Sequence, residues 1–287
     1  MSAPSVAPAQ ASPRWFAGDT TEPTRSTPVG IVCTTVLVVT YMLGNVLGSV
    51  SRWAPLVLAV VTVLALAARA TLAVHVGLLT LLHSLAWRVP VVGGMWPINN
   101  LSALVAYAAI VLSFRPLRET SGWLRRGRVD RVTRLAIAAF SLTSAVALVA
   151  WRYGAHVNMS VYRRFVPAFA LTMPGWELVV ALPVGVLAFA MLNAAFEEVI
   201  WRGVIMQSLE SAFGRGALVC VLQAVGFGVW HFRGFPSGYL GSALATIFAL
   251  MMGVLRMRGR GMLAPWLAHV CADTTIFILV AAMVLGS

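Results

Sequence analysis

Two adjacent glutamates and an arginine interrupt a long apolar stretch in the C-terminal half of the chain. Glu197, Glu198 and Arg202 fall within Trp176 to Phe213, which is predicted to form one long helix. Charged groups in such a setting cost about 2.5–3.5 kcal/mol each on membrane insertion, so they face protein or water and usually mark function. Glu198 and Arg202, four apart, can pair on one helix face and leave Glu197 available for chemistry. The alternative is a buried ion pair that only fixes the position of the helix and takes no part in chemistry.

A histidine follows at the end of the next apolar run. His231 comes directly after Ala217 to Trp230, and Phe227 lies one turn before it. Glu197 precedes Gly214 by 17 residues and His231 follows it by 17. An antiparallel helical hairpin that turns near Gly214 therefore brings Glu197 and His231 to a similar depth.

The last apolar segment carries a second polar pair. His269 and Asp273 are four residues apart and share one face of the predicted final helix. The spacing fits an oriented imidazole, half of a metal site or a structural hydrogen bond. The pair alone does not decide among these three.

The elements that position these residues are membrane helices. Hydrophobic residues make up 60% of the 287 residues and charged residues 10%, too little charge to cover the surface of a soluble domain. We therefore predict an all-α, polytopic transmembrane helix bundle with about eight spans. Residues 1–28 are rich in Pro, Ser, Thr and Ala and are predicted to be a disordered tail, and residues 29–287 the transmembrane domain.

The number of spans depends on the stretch from Ala54 to Trp87. It is apolar apart from Arg69, His75 and His83, and no Gly, Pro or Asn near Arg69 offers a turn. The pattern favours one long tilted helix, which gives eight spans rather than nine. Packing roles are expected for both histidines.

The basic residues predict the orientation in the membrane. The net charge is +12, yet all the basic residues are arginines, and many lie in short loops beside apolar stretches, which excludes a nucleic-acid face. One connection holds Arg115, Arg118, Arg125, Arg126, Arg128, Arg131 and Arg134, and another holds Arg256, Arg258 and Arg260. Both are predicted to be cytoplasmic, with residues 152–177 outside. The arginine-only usage indicates a GC-rich bacterial genome, so we expect a multi-pass protein of the bacterial cytoplasmic membrane.

Together the three patterns resemble a known family. Glu197-Glu198-x-x-x-Arg202, Phe227-x-x-x-His231 and His269-x-x-x-Asp273 resemble the motifs of the CAAX-protease and bacteriocin-processing family of intramembrane proteases, also called CPBP or Abi. The resemblance covers about residues 178–280. It implies an endopeptidase that cleaves a membrane-embedded or membrane-associated peptide. Trp201 and Asp273 depart from the commoner Phe and Asn, and the second departure leaves the role of that position open.

Peptide hydrolysis needs an activated water, a proton donor for the leaving amine and contacts to the oxyanion. In this interpretation Glu197 is the general base, His231 holds the water and returns a proton, and His269 with Asp273 supplies the oxyanion contacts. Glu198 and Arg202 then fix the helix that carries Glu197.

Three questions stay open at this stage. No cofactor is firmly predicted, although zinc held by His231, His269 and Glu197 is an alternative to metal-free chemistry. A non-catalytic bacteriocin-immunity or scaffold protein would keep the same residues for structure or binding. A proton-coupled transporter would use the buried charges as a relay.

Overall fold

The computed structural model describes residues 26–90, 97–155 and 175–285, and within these ranges the chain is helical without strands. The α-helices are α1 Pro28–Leu47, α2 Ala54–Ala67, α3 Thr71–Ala86, α4 Ile98–Ser113, α5 Arg115–Thr120, α6 Arg131–Gly154, α7 Gly175–Glu198, α8 Met206–Phe213, α9 Ala217–Trp230, α10 Gly238–Gly259 and α11 Leu263–Leu285. Short 3₁₀ segments cover Gly48–Trp53 and His231–Arg233, and a π-helix covers Val199–Ile205.

The length and composition of these helices suit a membrane. Five helical segments in the described ranges are long and apolar enough to cross one, and four shorter apolar helices accompany them. Large apolar side chains are exposed on the outer faces, among them Val32, Val63 and Leu142 at 62%, 64% and 67%. Lipid rather than water suits such a surface. The predicted all-α membrane bundle is confirmed.

The prediction of one helix from Ala54 to Trp87 is wrong, because the chain turns at Arg69. Arg69 adopts a left-handed conformation with φ of 55°. Its N–H donates to the Leu66 carbonyl at 3.0 Å, and the Ala70 N–H donates to the Ala65 carbonyl at 2.8 Å. These two bonds form a Schellman C-cap, which ends a helix sharply. The cap usually uses glycine, so an arginine at this position does not predict it.

The two helices that result pack closely against each other. A Cβ atom added to Gly77 of α3 would lie 2.0 Å from Thr62 Oγ1 of α2, so only glycine allows this approach. In the described residues the apolar helices therefore number nine, five of them long enough to cross a membrane and four shorter. The count of about eight spans stays a prediction.

The start of α1 also differs from the prediction. Ser26 and Thr27 belong to the predicted tail (1–28), but they bind to the bundle. The Ser26 N–H donates to the Ser211 carbonyl at 3.0 Å, and Thr27 Oγ1 accepts from the Gly30 N–H at 3.2 Å as the N-cap of α1. Residues 1–25 of the tail lie outside the described residues, and their disorder stays a prediction.

The two basic connections meet at one end of the bundle. The Arg128 N–H donates to the Gly259 carbonyl at 2.7 Å, and the Met262 N–H donates to the Arg125 carbonyl at 2.8 Å. Two loops predicted to be cytoplasmic thus share one end. Which side of the membrane this end faces stays a prediction, as does the outside position of residues 152–177, most of which lie outside the described residues.

Asp130 fastens this end of the bundle. Its carboxylate accepts from the Thr133 N–H at 2.7 Å as the N-cap of α6, and Arg258 Nη2 lies 3.2 Å from its second oxygen. The bonds from Thr133, followed by the charge of Arg258, lower the pKa of Asp130. The cap and the ion pair join α6 to the end of α10.

The predicted long helix from Trp176 to Phe213 is present with a change of winding inside it. The segment Val199–Ile205 is π-helical and connects α7 to α8 without a break. π-helical turns inside α-helices frequently occur at functional sites. The ring of Trp123 packs on Gly203 here, since an added Cβ would come within 2.9 Å of its Cε3 atom.

Candidate active site

The polar residues of the three motifs come together inside the bundle. They lie on the end of α7 with the adjoining π-helix, on the residue after α9, and on α11. All are at most 7% exposed: Glu197, Glu198, Arg202, His231, His269 and Asp273. Residues that are distant in sequence thus form one buried charged cluster, which we call the central cluster.

Glu197 faces both imidazoles of the cluster. Its Oε2 atom lies 3.7 Å from His231 Nε2 and 3.6 Å from His269 Nε2. Its other oxygen, Oε1, accepts a hydrogen bond from Asn193 Nδ2 at 3.0 Å. The carboxylate therefore has one oxygen held by an amide and one oxygen directed at the two rings.

The backbone of α9 fixes the tautomer of His231. Its Nδ1 lies 3.0 Å from the Phe227 carbonyl, which can only accept, so Nδ1 carries the proton. In the neutral ring Nε2 then has a lone pair directed at Glu197. The ring also packs on the Phe227 ring at a centroid distance of 4.1 Å.

Glu198 holds two partners with one oxygen. Its Oε1 lies 2.7 Å from His269 Nδ1 and 3.1 Å from Arg202 Nη1. The predicted pairing of Glu198 with Arg202 is present. The contact to His269 was not predicted, because spacing along one helix does not reveal a partner on another. Glu198 is thus the residue that orients His269.

Arg202 also packs on aromatic rings. Its Cζ lies 4.5 Å from the ring centroid of Phe227 and 5.8 Å from that of Phe248. A guanidinium over a ring face is attracted by the ring quadrupole. These contacts help to accommodate a cation that is fully buried.

Asp273 shares one face of α11 with His269, as the spacing predicted, but it does not form a hydrogen bond with His269. Its Oδ1 lies 3.6 Å from His269 Nε2, beyond hydrogen-bond length, whereas its Oδ2 accepts from Asn193 Nδ2 at 3.2 Å. Asn193 therefore bridges the carboxylates of Asp273 and Glu197. Sequence reasoning missed this asparagine, although its position four residues before Glu197 puts both on one face of α7.

The space between Glu197 Oε2 and the imidazole Nε2 atoms suits a hydrogen-bond donor. Glu197 Oε2 only accepts, and with Nδ1 protonated the neutral ring of His231 also accepts at Nε2. Acceptors that converge on one another are favourable only with a proton, a water molecule or a cation between them. A water bound there would meet a carboxylate and two imidazoles, the groups that general-base hydrolysis needs.

Zinc was predicted as an alternative, held by Glu197, His231 and His269. Each of the two imidazoles has an oxygen acceptor at Nδ1, which turns its Nε2 atom towards the cluster. Histidines that bind a metal are usually oriented in this way. In the described part of the chain, however, no set of three or more His, Cys, Asp or Glu side chains is arranged closely enough to hold a metal ion. Use of zinc stays a prediction, and we derive no step through it.

The fold and the cluster define a class: a helical membrane protein with buried carboxylates, imidazoles and an arginine from three helices. Residues 179–275, about a third of the chain, match the family described as type II CAAX prenyl endopeptidase Rce1-like. This match confirms the resemblance to the CAAX-protease family, and the matched segment contains every residue of the central cluster. Neither the comparison with curated proteins nor that with solved structures gives a match.

Proposed function

We propose that this protein is an intramembrane endopeptidase that hydrolyses a peptide bond with a water activated by Glu197 and His231. The observation that carries the proposal is the convergence of Glu197 Oε2 with two imidazole Nε2 atoms, at 3.7 and 3.6 Å, inside an apolar bundle. The family match of residues 179–275 to a CAAX-type endopeptidase supports the reaction class.

The proposed reaction follows from the atoms that surround Glu197. Water bound between Glu197 Oε2 and His231 Nε2 attacks the carbonyl carbon of the substrate while its proton passes to Glu197. The C–N bond then breaks, and the same proton goes to the leaving amine, directly or through His231. The enzyme returns to its starting protonation state.

His269 stabilises the oxyanion in the proposed reaction. The cluster contains three carboxylates, on Glu197, Glu198 and Asp273, and one permanent cation, so a proton on His269 improves the charge balance. As an imidazolium, His269 donates from Nδ1 to Glu198 and keeps Nε2–H for the substrate oxygen. Glu198 and Arg202 then act by fixing this ring.

The proposed substrate is a peptide segment embedded in or held at the membrane, and the proposed location is the bacterial cytoplasmic membrane. A buried site within apolar helices receives substrate from the lipid phase or from its surface. The family description names a CAAX prenyl endopeptidase. Since a C-terminal CAAX motif is prenylated on its cysteine, a farnesylated peptide is a useful probe beside an unmodified one.

The test is to map new protein N-termini in membranes from cells that produce the wild-type protein or Glu197→Gln. We expect N-termini that depend on the wild-type protein and are lost with the variant. The matched control is Glu210→Gln, which also alters a buried carboxylate, but one paired with Arg215 at 3.4 Å rather than with the imidazoles. Identical N-termini for the wild type and Glu197→Gln would refute the proposal and favour a scaffold or immunity role.

A further inference from the structure

The orientation of the Asn193 amide follows from what surrounds it. Its Nδ2 atom has Glu197 Oε1 at 3.0 Å and Asp273 Oδ2 at 3.2 Å. Carboxylates accept hydrogen bonds, so the NH₂ group must face them and give one proton to each. The Asn193 carbonyl oxygen is thereby turned the other way, towards α4.

A second amide meets that oxygen. Asn100 Nδ2 of α4 donates to Asn193 Oδ1 at 3.1 Å, and Asn100 is 2% exposed. Since Asn193 Oδ1 can only accept, the orientation of Asn100 is fixed in turn. Asn100 lies outside the family-matched segment 179–275, so an element from the other half of the chain contacts the amide that binds the carboxylates of the cluster.

The chain of contacts continues to α3 and α1. Asn100 Oδ1 lies 3.1 Å from His83 Nε2, and the Tyr41 hydroxyl lies 3.0 Å from His83 Nδ1. Trp87 Nε1 also approaches His83 Nε2, at 2.9 Å, and that nitrogen serves one of its two partners at a time. The Asn100 side chain therefore borders a buried aromatic and imidazole layer, and it accepts a hydrogen bond from that layer when His83 Nε2 carries the proton.

The bridge answers a specific electrostatic need. Glu197 and Asp273 are two carboxylates in one buried cluster, and both lie within hydrogen-bond distance of the same Asn193 nitrogen. Two negative charges this near each other repel strongly, because little water screens them. An amide that donates to both reduces the repulsion and fixes the Oε1 atom of Glu197. With Oε1 held, Oε2 keeps its direction toward the imidazoles, as general-base chemistry requires.

We propose that Asn193 and Asn100 are positioning residues for catalysis: an amide relay through which the N-terminal helices set the rotamer of Glu197. The inference rests on the proposed function, and neither asparagine contacts the substrate or transfers a proton in it. Asn193 acts on Glu197 directly, and Asn100 acts only through Asn193.

The experiment is a double-mutant cycle on protein in liposomes, with Asn193→Ala, Asn100→Ala and both together. The substrate is a peptide that spans a Glu197-dependent cleavage site found by N-terminal mapping. We expect Asn193→Ala to lower kcat by up to about 100-fold, the cost that a displacement of about 1 Å at a reacting group can reach. KM should change by less than about threefold, because neither amide is placed to touch substrate. Asn100→Ala should lower kcat less, and it should add almost nothing when Asn193 is already alanine.

Gln223→Ala is the matched control for a merely structural role. Gln223 is a fully buried amide that donates to the Cys220 and Ala249 carbonyls and links α9 to α10. Gln223→Ala should lower thermal stability while kcat stays within about twofold of wild type. Asn193→Gln, which keeps an amide, should have a higher kcat than Asn193→Ala. Additive losses of kcat, or a loss that Gln223→Ala reproduces, would overturn the relay. An active Glu197→Gln would instead overturn the proposed function, so the two failures are distinguishable.

Discussion

The two halves of the bundle bury different kinds of polar groups. Among the described residues before 156, the buried polar side chains belong to Thr, His, Asn and Ser. Every buried glutamate, aspartate and arginine of the described ranges lies after residue 174: Glu197, Glu198, Arg202, Glu210, Arg256 and Asp273. The N-terminal helices contribute hydrogen bonds, and the C-terminal helices contribute charge.

This difference indicates how the protein accommodates a charged site in an apolar fold. A buried charge needs partners of opposite charge or several hydrogen bonds, and the C-terminal helices provide both for the charges of the central cluster. The N-terminal helices supply uncharged donors and acceptors at the edge of that cluster, through Asn100 and His83. Neutral groups can hold a carboxylate without neutralising it, which a general base requires.

The largest effect on stability is expected for Glu198→Gln. Glu198 pairs with a fully buried Arg202 and also holds His269. Breaking a buried pair strands the partner charge and costs about 3–5 kcal/mol. The measurement is unfolding in mild detergent. Glu210→Gln is the comparison: its partner Arg215 is 33% exposed, so water can solvate the charge left behind, and only Arg256 loses a favourable charge in the interior. The loss there should therefore be smaller than for Glu198→Gln. Equal costs for the two variants would contradict the special position of Glu198.

A smaller effect is expected in the N-terminal half. Thr34 Oγ1 and Ser208 Oγ are hydrogen-bonded at 2.8 Å and fully buried between α1 and α8. Thr34→Val removes this neutral bond and should cost about 1 kcal/mol in the same unfolding assay, with cleavage retained. If Thr34→Val abolished cleavage, the division between a charged half and a supporting half would not hold.

Arg69→Gly tests the corner between α2 and α3. Arg69 has a φ of 55°, which costs a residue with a Cβ about 1–2 kcal/mol and costs glycine little. We expect the variant to be as stable as wild type or up to about 1 kcal/mol more stable, whereas Arg69→Val should be less stable. A marked loss of stability in Arg69→Gly would show that the arginine side chain, and not the turn, holds this corner.

No effect is expected from removing zinc. Glu197 and the two histidines are expected to work without a tightly bound ion. Asp273→Asn should also keep activity, because the side-chain carbonyl oxygen of the new asparagine can accept the hydrogen bond that Asn193 Nδ2 now gives to Asp273. The measurement is cleavage by purified protein after treatment with phenanthroline. Inactivation that added zinc reverses would make His231, His269 and a carboxylate the ligands.

The sequence predicted the helical membrane class, the reaction family and the residues of the central cluster, because buried charges in apolar runs are rare. The equal spacing about Gly214 correctly placed Glu197 near His231. The turn at Arg69 escaped notice, since its cap depends on backbone bonds and not on a turn-forming residue. The contact of Glu198 with His269 and the bridge through Asn193 and Asn100 also escaped, because contacts between helices depend on packing that one sequence does not specify.

The central claim is that Glu197 acts as the base, and one measurement tests it most directly. Wild type, Glu197→Gln and Glu210→Gln are purified, reconstituted in liposomes and compared for kcat/KM on a peptide cleaved by the wild type. Removing a general base lowers the rate by about 10²–10⁴-fold, so Glu197→Gln should fall by that factor while Glu210→Gln stays within about threefold of wild type. A Glu197→Gln variant as active as Glu210→Gln would contradict the account.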